Sequence, residues 1–293
     1  MRARLPDPLP SFARPVLTLA QAGAEIAAGR VGLVTSDVFD TVVWRPVAQP
    51  HHLFLRLGQL LGAANPHGFA LARVRAEHEA RLAARTTHGS PECTLAEIWE
   101  RLPLDGLDAE LELEATALRI HPSTAALLTD ARGRGIPVVL VSDSYFSGTQ
   151  LAQLVTRAGL DVADLSIDVV TSSDRRCNKW DGLLANVIAE HDGPALHLGD
   201  NPFADLVTGD RAGARVAHVD ILDADDAAVT SHSPWNRLSE AVGSDGGHSA
   251  TVRETLVAAG QLGRDPSYQF GVEAAGPVMA GFAGWVSATA DEL

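Results

Sequence analysis

The chain has 293 residues, of which 46% are hydrophobic and 20% charged, an ordinary mix for a globular protein. Lysine and arginine number 23 against 37 aspartates and glutamates, a formal charge of −14. Such an acidic surface argues against nucleic acid and anionic membranes as partners, because both need a basic footprint; a small anionic substrate stays open where a metal reverses the local sign.

The N-terminal segment MRARLPDPLPSFARPVL carries arginines but no continuous apolar core, so it lacks the pattern of a secretory signal, and a cytoplasmic location is expected. The first apolar run, VGLVTS at 31–36, reads as a buried parallel strand because it is continuously apolar rather than alternating. Residues 46–120 then change period: HHLFLRLGQLLG, FALARVRAEHEARLAAR, TLAEIWERL and DAELELEATALRI all read as helices. In 69–85, Phe69, Val74 and Leu82 are expected on the apolar face, and Arg73, Arg75, Arg81 and Arg85 on a solvated one. Cys93 and Cys177 stand alone without a CxxC pair, which excludes a disulfide framework and a cysteine zinc site.

Strand-like runs return at PVVLVS (137–142), IDVVTS (167–172), ALHLG (195–199) and RVAHVD (215–220), separated by helical stretches at 123–134, 148–158, 179–191 and 203–212. This alternation predicts right-handed βαβ units. The expected fold is α/β: a three-layer, Rossmann-like parallel sheet formed by 1–45 and 121–222, with a helical cap inserted at 46–120. The segment 223–293 reads as a linker followed by a C-terminal helical appendage, with helices at 251–262 and 268–290. Its most apolar piece, PVMAGFAGWVSA at 277–288, falls short of the roughly 18 residues a membrane span needs and reads as a buried helix.

Three polar clusters directly follow three of these strands: Asp37, Asp40 and Thr41; Ser142 and Asp143; Asp200, Asn201 and Asp205. Ligands of open α/β sheets bind outside the carboxyl ends of the strands, so convergent acids there mark a candidate site. Taken singly, each acid reads as a helix cap or turn residue, and Lys179, opening the predicted helix KWDGLLANVIAEH, as a surface lysine. Taken together they fit one chemistry. Asp37 and Asp200 offer the hard oxygens magnesium prefers, a metal-screened carboxylate can attack phosphorus, Ser142 can hold a phosphoryl oxygen, and Lys179 can neutralise the charge.

In order, VGLVTSDVFDT, VVLVSDS, Lys179 and LHLGDNPFAD resemble the four sequence motifs of the haloacid dehalogenase-like superfamily across residues 31–220. The resemblance implies a magnesium-dependent hydrolase acting on a small phosphomonoester, with a sugar phosphate as one candidate. Asp37 would be the nucleophile that forms an aspartyl-phosphate, Ser142 the motif-two hydroxyl and Lys179 the motif-three base. Asp37, Asp200, Asp205 and the backbone carbonyl of Phe39 would hold Mg2+, and Thr41 and Asp143 would lie within reach of substrate; Arg45, by its position after the nucleophile strand, reads equally as a substrate contact or as a cap-hinge salt bridge. The runs DVFDTVVWRP, FALARVRAEHEAR, SDSYFS and YQFGVEAAGPVMAGFAGW further resemble a bacterial subfamily often encoded beside, or fused to, glycosyltransferases of surface-polysaccharide synthesis. Members of that group often extend further, which leaves a domain beyond Leu293 open.

One position departs from the pattern. Superfamily phosphatases carry an aspartate two positions after the nucleophile, as general acid and base; here that position is Phe39 and the next is Asp40. Asp40 is the candidate to substitute as the catalytic acid, the alternative being that it orients the loop or caps a turn, since strict alternation along an extended segment would point it away from Asp37. An aromatic residue at this point also occurs in the metal-free haloalkanoate dehalogenases, whereas the Asp200 and Asp205 cluster is similar to the metal-binding form. Three activities therefore stand open: a phosphatase, a catalytically weakened binding module serving a glycosyltransferase, and a phosphotransferase with an acceptor other than water. His197 reads as a core histidine, Tyr145 and Phe146 as packing or cap-facing residues, and Arg175 and Arg176 as surface residues or anion contacts.

Overall fold

The computed structural model describes residues 12–45 and 51–220; the expected C-terminal helices and the segment 277–288 lie outside the described residues. The backbone separates into two compact units. Among the described residues, one holds Arg45 and 51–70, and the other 12–44 and 71–220. In the first, helix α2 (His52–Leu60) turns at Gly62 into the start of α3 (Pro66–His88). The two segments meet at Gly58, where an added β-carbon would lie 2.9 Å from the Phe69 ring. The side chain of Asn65 accepts the Gly68 N–H at 2.9 Å, satisfying one of the open amides of the first turn of α3.

The second unit is built on a five-stranded parallel sheet of β1 (Leu33–Ser36), β4 (Val138–Ser142), β5 (Asp168–Thr171), β6 (Ala195–Gly199) and β7 (Arg215–His218). The order is β5-β4-β1-β6-β7, so the chain builds outward from β1 first to one side and then to the other. Val138 to Val141 are at most 1% exposed, which is why this run carries no polar alternation. On one face Leu33, Val139 and Val141 pack under Leu183, Leu184 and Val187 of α9 (Leu183–Ala189). Right-handed crossovers put α6 (Pro122–Gly133) and α7 (Gly148–Ala158) on the opposite face, giving the three-layer Rossmann-like α/β arrangement. The switch in strand order falls at β1, between β4 and β6, and opens the crevice there.

Two short elements lie outside the predicted strands and helices. Helix α1 (Leu19–Ala27) is started by a Thr18–Gln21 capping box. An antiparallel ribbon of β2 (Val43–Trp44) and β3 (Arg119–Ile120) pairs Val43 with Ile120 and Trp44 with Arg119.

The expected face of α3 is corrected. Val74 and Leu82 are 45% and 52% exposed, whereas Arg73 is wholly buried with Ala76, Ala80 and Ala84. The alanines let Cys93 and Ile98 approach closely. Arg73 tolerates burial because Glu110 of α5 (Leu107–Ala117) binds it in bidentate fashion at 2.8 and 2.6 Å. Glu110 also accepts the Trp99 indole N–H at 2.9 Å. Arg75 and Arg85 do face solvent. Among the described residues, no helix is long and apolar enough to cross a membrane.

Candidate active site

Asp37 is the first residue beyond β1, and its N–H donates to the Leu198 carbonyl at 2.9 Å, which keeps the backbone in register with β6. The chain then folds tightly. The Val38 carbonyl accepts the N–H groups of Val42 and Val43 at 2.8 and 2.9 Å, and the Asp40 N–H donates to the Val43 carbonyl at 2.6 Å. Asp40 has φ +59°, a left-handed conformation that costs most side chains energy and that short polar residues tolerate best. The segment is therefore not extended at Asp40, and the alternation that would turn its carboxylate away does not apply. Thr41 is buried with its hydroxyl 3.5 Å from Asp37 Oδ2.

Lys179 does not open a helix, as the sequence suggests, because α9 starts only at Leu183 after Gly182 at φ +122°. An Asn178–Asp181 pair holds the preceding turn: Asn178 Nδ2 donates to Asp181 Oδ2, and the Asp181 N–H to Asn178 Oδ1, each at 2.8 Å. Asp143, after β4, accepts the Lys179 N–H at 2.8 Å. So fixed, the side chain turns inward. Its Nζ lies 2.6 Å from Asp37 Oδ1 and 2.5 Å from Asp205 Oδ1, with Lys179 only 4% exposed.

Asp205 reaches this point through a π-helical turn, Pro202–Val207. Asn201 caps it by accepting the N–H groups of Phe203 and Ala204 at 2.9 and 3.0 Å, and Pro202 follows where no N–H is needed. Asp205 Oδ2 accepts the Asn201 N–H at 3.0 Å. Asp37, Asp200 and Asp205 each present an oxygen within 4.8 Å of the others, a donor set of the hard kind that suits Mg2+. Asp205 is already engaged through both oxygens, whereas no hydrogen bond or ion pair ties Asp200 among the described residues.

One ammonium among three carboxylates divides them. Burial opposes the charge on Lys179, but Asp205, Asp37 and Asp143 outweigh it and hold the ammonium charged. Burial opposes Asp205 as well, and Lys179 and His197 overcome it, keeping that carboxylate below its usual range. Burial pushes Asp37 up to about 7, against Lys179 and helped by Asp205. Burial, Asp37 and Asp40 push Asp200 up to about 9. Excess negative charge is what a bound divalent cation would relieve.

The other candidates fall out differently. Ser142 ends β4, two residues beyond Leu140, the partner of Ser36, and stands at the same sheet edge; it is 1% exposed. Phe39 turns toward Phe146, with ring centroids 6.2 Å apart, and Phe146 packs on Tyr145 at 4.7 Å. The Arg73 guanidinium covers the Tyr145 ring at 5.1 Å, and the Tyr145 carbonyl accepts the Leu95 N–H at 2.8 Å, so Tyr145 binds the loop after β4 to the helical segment. Arg176 is bidentate to Glu97 at 2.9 and 3.0 Å and donates to the Glu92 carbonyl at 2.7 Å, a structural clamp rather than an anion contact. Arg175 faces Glu190 at 3.8 Å. Arg45, one residue beyond β2, belongs to the other unit. His197 is the core histidine its place in a strand predicts, fully buried and bonded to Thr35, and its imidazole also touches Asp205, a contact with the site that the sequence reading did not include.

No family model matches the sequence, and no curated protein matches it. Among solved structures, the fold is similar to a HAD phosphatase from Thermococcus onnurineus, at 16% identity over 64% of this chain and 86% of that one, with a TM-score of 0.45. It is also similar to the L-2-haloacid dehalogenase of Xanthobacter autotrophicus, at 15% identity over 76% and 99% of the two chains, TM-score 0.47. A 2-haloacid dehalogenase from Pseudomonas syringae pv. Tomato shares 20% identity over 67% and 90%, TM-score 0.42.

Proposed function

We propose that the chain is a magnesium-dependent hydrolase of a small phosphomonoester that works through an aspartyl-phosphate on Asp37. The observation that supports it most is the Lys179 ammonium, 2.6 Å from Asp37 and 2.5 Å from Asp205, inside a cluster that also holds Asp200. Asp37 and Asp200 would hold the ion with the Phe39 carbonyl, and Asp205 would stand beside it. The ion supplies charge compensation for the phosphate dianion approaching a carboxylate.

In this reading an Asp37 oxygen forms a bond to phosphorus as the ester P–O bond breaks, and Asp40 gives the departing oxygen its proton. Water then attacks the acyl phosphate and gives a proton back to the Asp40 carboxylate, releasing inorganic phosphate and free Asp37. Lys179 stabilises the charge on the transferring group, and Ser142, whose hydroxyl makes no hydrogen bond among the described residues, receives a phosphoryl oxygen. The test is hydrolysis of an aryl phosphate by the purified protein with Mg2+, stopped by EDTA and by Asp37→Asn. An unchanged rate in that variant would remove Asp37 from the reaction.

A second reading is favoured by the Phe39–Phe146 contact, which fills with apolar rings the position where related phosphatases hold an acid. On that reading the chain is a binding module for a glycosyltransferase. It predicts Mg2+ binding without turnover of any member of a broad phosphate panel, together with a stable complex with the transferase.

A further inference from the structure

His197 is fully buried in β6, level with Thr35 of β1. Its Nδ1 lies 2.9 Å from the Thr35 hydroxyl and its Nε2 3.4 Å from Asp205 Oδ1, the same oxygen that receives the Lys179 ammonium. A carboxylate can only accept, so the Nε2 atom carries the hydrogen and Nδ1 accepts from Thr35. The ring has little freedom to leave this position. Gly209 of α10 (Thr208–Arg211) lies against it, and an added β-carbon there would sit 3.4 Å from His197 and 2.8 Å from Val216. The result is one line of contacts: Thr35, His197, Asp205, Lys179, Asp37.

We propose that His197 is a positioning residue, which acts through Asp205 to hold the Lys179 ammonium on Asp37. The inference rests on the reading of Asp37 and Lys179 as the reacting pair. Asp205 is set on a π-helical turn and is fully buried, so the direction of its carboxylate is fixed by the groups packed and bonded around it. Three donors converge on it: the ammonium, the Asn201 N–H and the imidazole. The imidazole contact is long, which suits orientation more than binding strength.

The experiment compares the whole protein with His197→Gln, His197→Leu and Thr35→Val. Glutamine places an amide N–H near the Nε2 position; leucine fills the space without a donor. Aryl phosphate turnover should fall roughly 10–100-fold in kcat for H197L, with KM little changed and most of the rate restored in H197Q. Nitrogen-15 NMR of the protected Lys179 ammonium gives a readout free of activity: its signal should persist in the wild type and H197Q and vanish in H197L. Should the wild type hydrolyse no phosphate ester, the proposed function fails but the ammonium signal still decides this inference. Should H197L not fold, the isosteric T35V variant decides it, through a weakened ammonium signal and a shifted imidazole resonance. An ammonium signal unaltered in H197L, or in T35V where H197L is unfolded, overturns the proposal.

Discussion

The carboxylate of Asp205 occupies the space that a β-carbon on Gly199 would need. The glycine that ends β6 is thus matched to an acid six positions later, and the fit decides where that acid points. Gly199→Ala should push Asp205 off the lysine without disturbing the sheet. The expected outcome is a kcat lowered roughly 10–100-fold with an unchanged circular dichroism spectrum. A wild-type rate in this variant would mean that Asp205 has no fixed place in the site.

The raised acids make the metal-free protein sensitive to base. Asp37 and Asp200 sit at about 7 and about 9, above their unfolded values, so the native state binds more protons than the unfolded chain. Stability contributed this way is present below the unfolded carboxylate range and is lost as pH rises through the folded values. The melting temperature in EDTA should therefore decline between about pH 5 and 9. Magnesium should recover it, with a shift that grows as pH rises, and differential scanning calorimetry in both conditions checks this.

Asp200→Asn removes one member of the crowded set while keeping its size. Metal-free protein should melt higher at pH 7.5, where folding otherwise has to protonate Asp200, by about 2–4 °C for each kcal/mol which that protonation costs. The magnesium-induced shift should disappear with the activity. A variant that still responds to magnesium like the wild type would place the ion elsewhere.

Asp40 can be separated from Asp37 by the leaving group. If it donates the proton, Asp40→Asn should slow alkyl phosphate hydrolysis by about 10²–10⁴-fold and aryl phosphate hydrolysis much less, because a good leaving group needs little help. Equal losses on both substrates would assign Asp40 to holding the turn at φ +59°.

Arg73 and Glu110 test burial away from the site. Arg73→Met strands a wholly buried carboxylate and should destabilise the protein by about 3–5 kcal/mol in urea titrations. Arg73→Met with Glu110→Gln should recover most of it, since the amide oxygen still accepts the Trp99 N–H.

The strands were readable from the sequence because a continuous apolar run such as VVLV, bounded by turn residues, has few alternatives to a buried parallel strand. Acids placed just after three such runs must then meet at one edge of the sheet, which is why Asp37, Asp143 and Asp200 could be grouped before any coordinates. Periodicity did less well on α3, where alanine and arginine suit either face of a helix. Only the distant Glu110 made the inward turn of Arg73 affordable.

The sequence by itself determined the five strands of the parallel sheet, their likeness to a known motif order, and the set of polar groups at the sheet's carboxyl edge, because these follow from local patterns of apolar residues. The tertiary structure alone decided that β2 pairs with β3, that Asp205 and Asp37 share one ammonium, that Lys179 leaves a turn rather than a helix, and that His197 touches the site. Those outcomes depend on burial and on charges brought together from far along the chain, and Coulomb energy follows distance in space rather than separation in sequence.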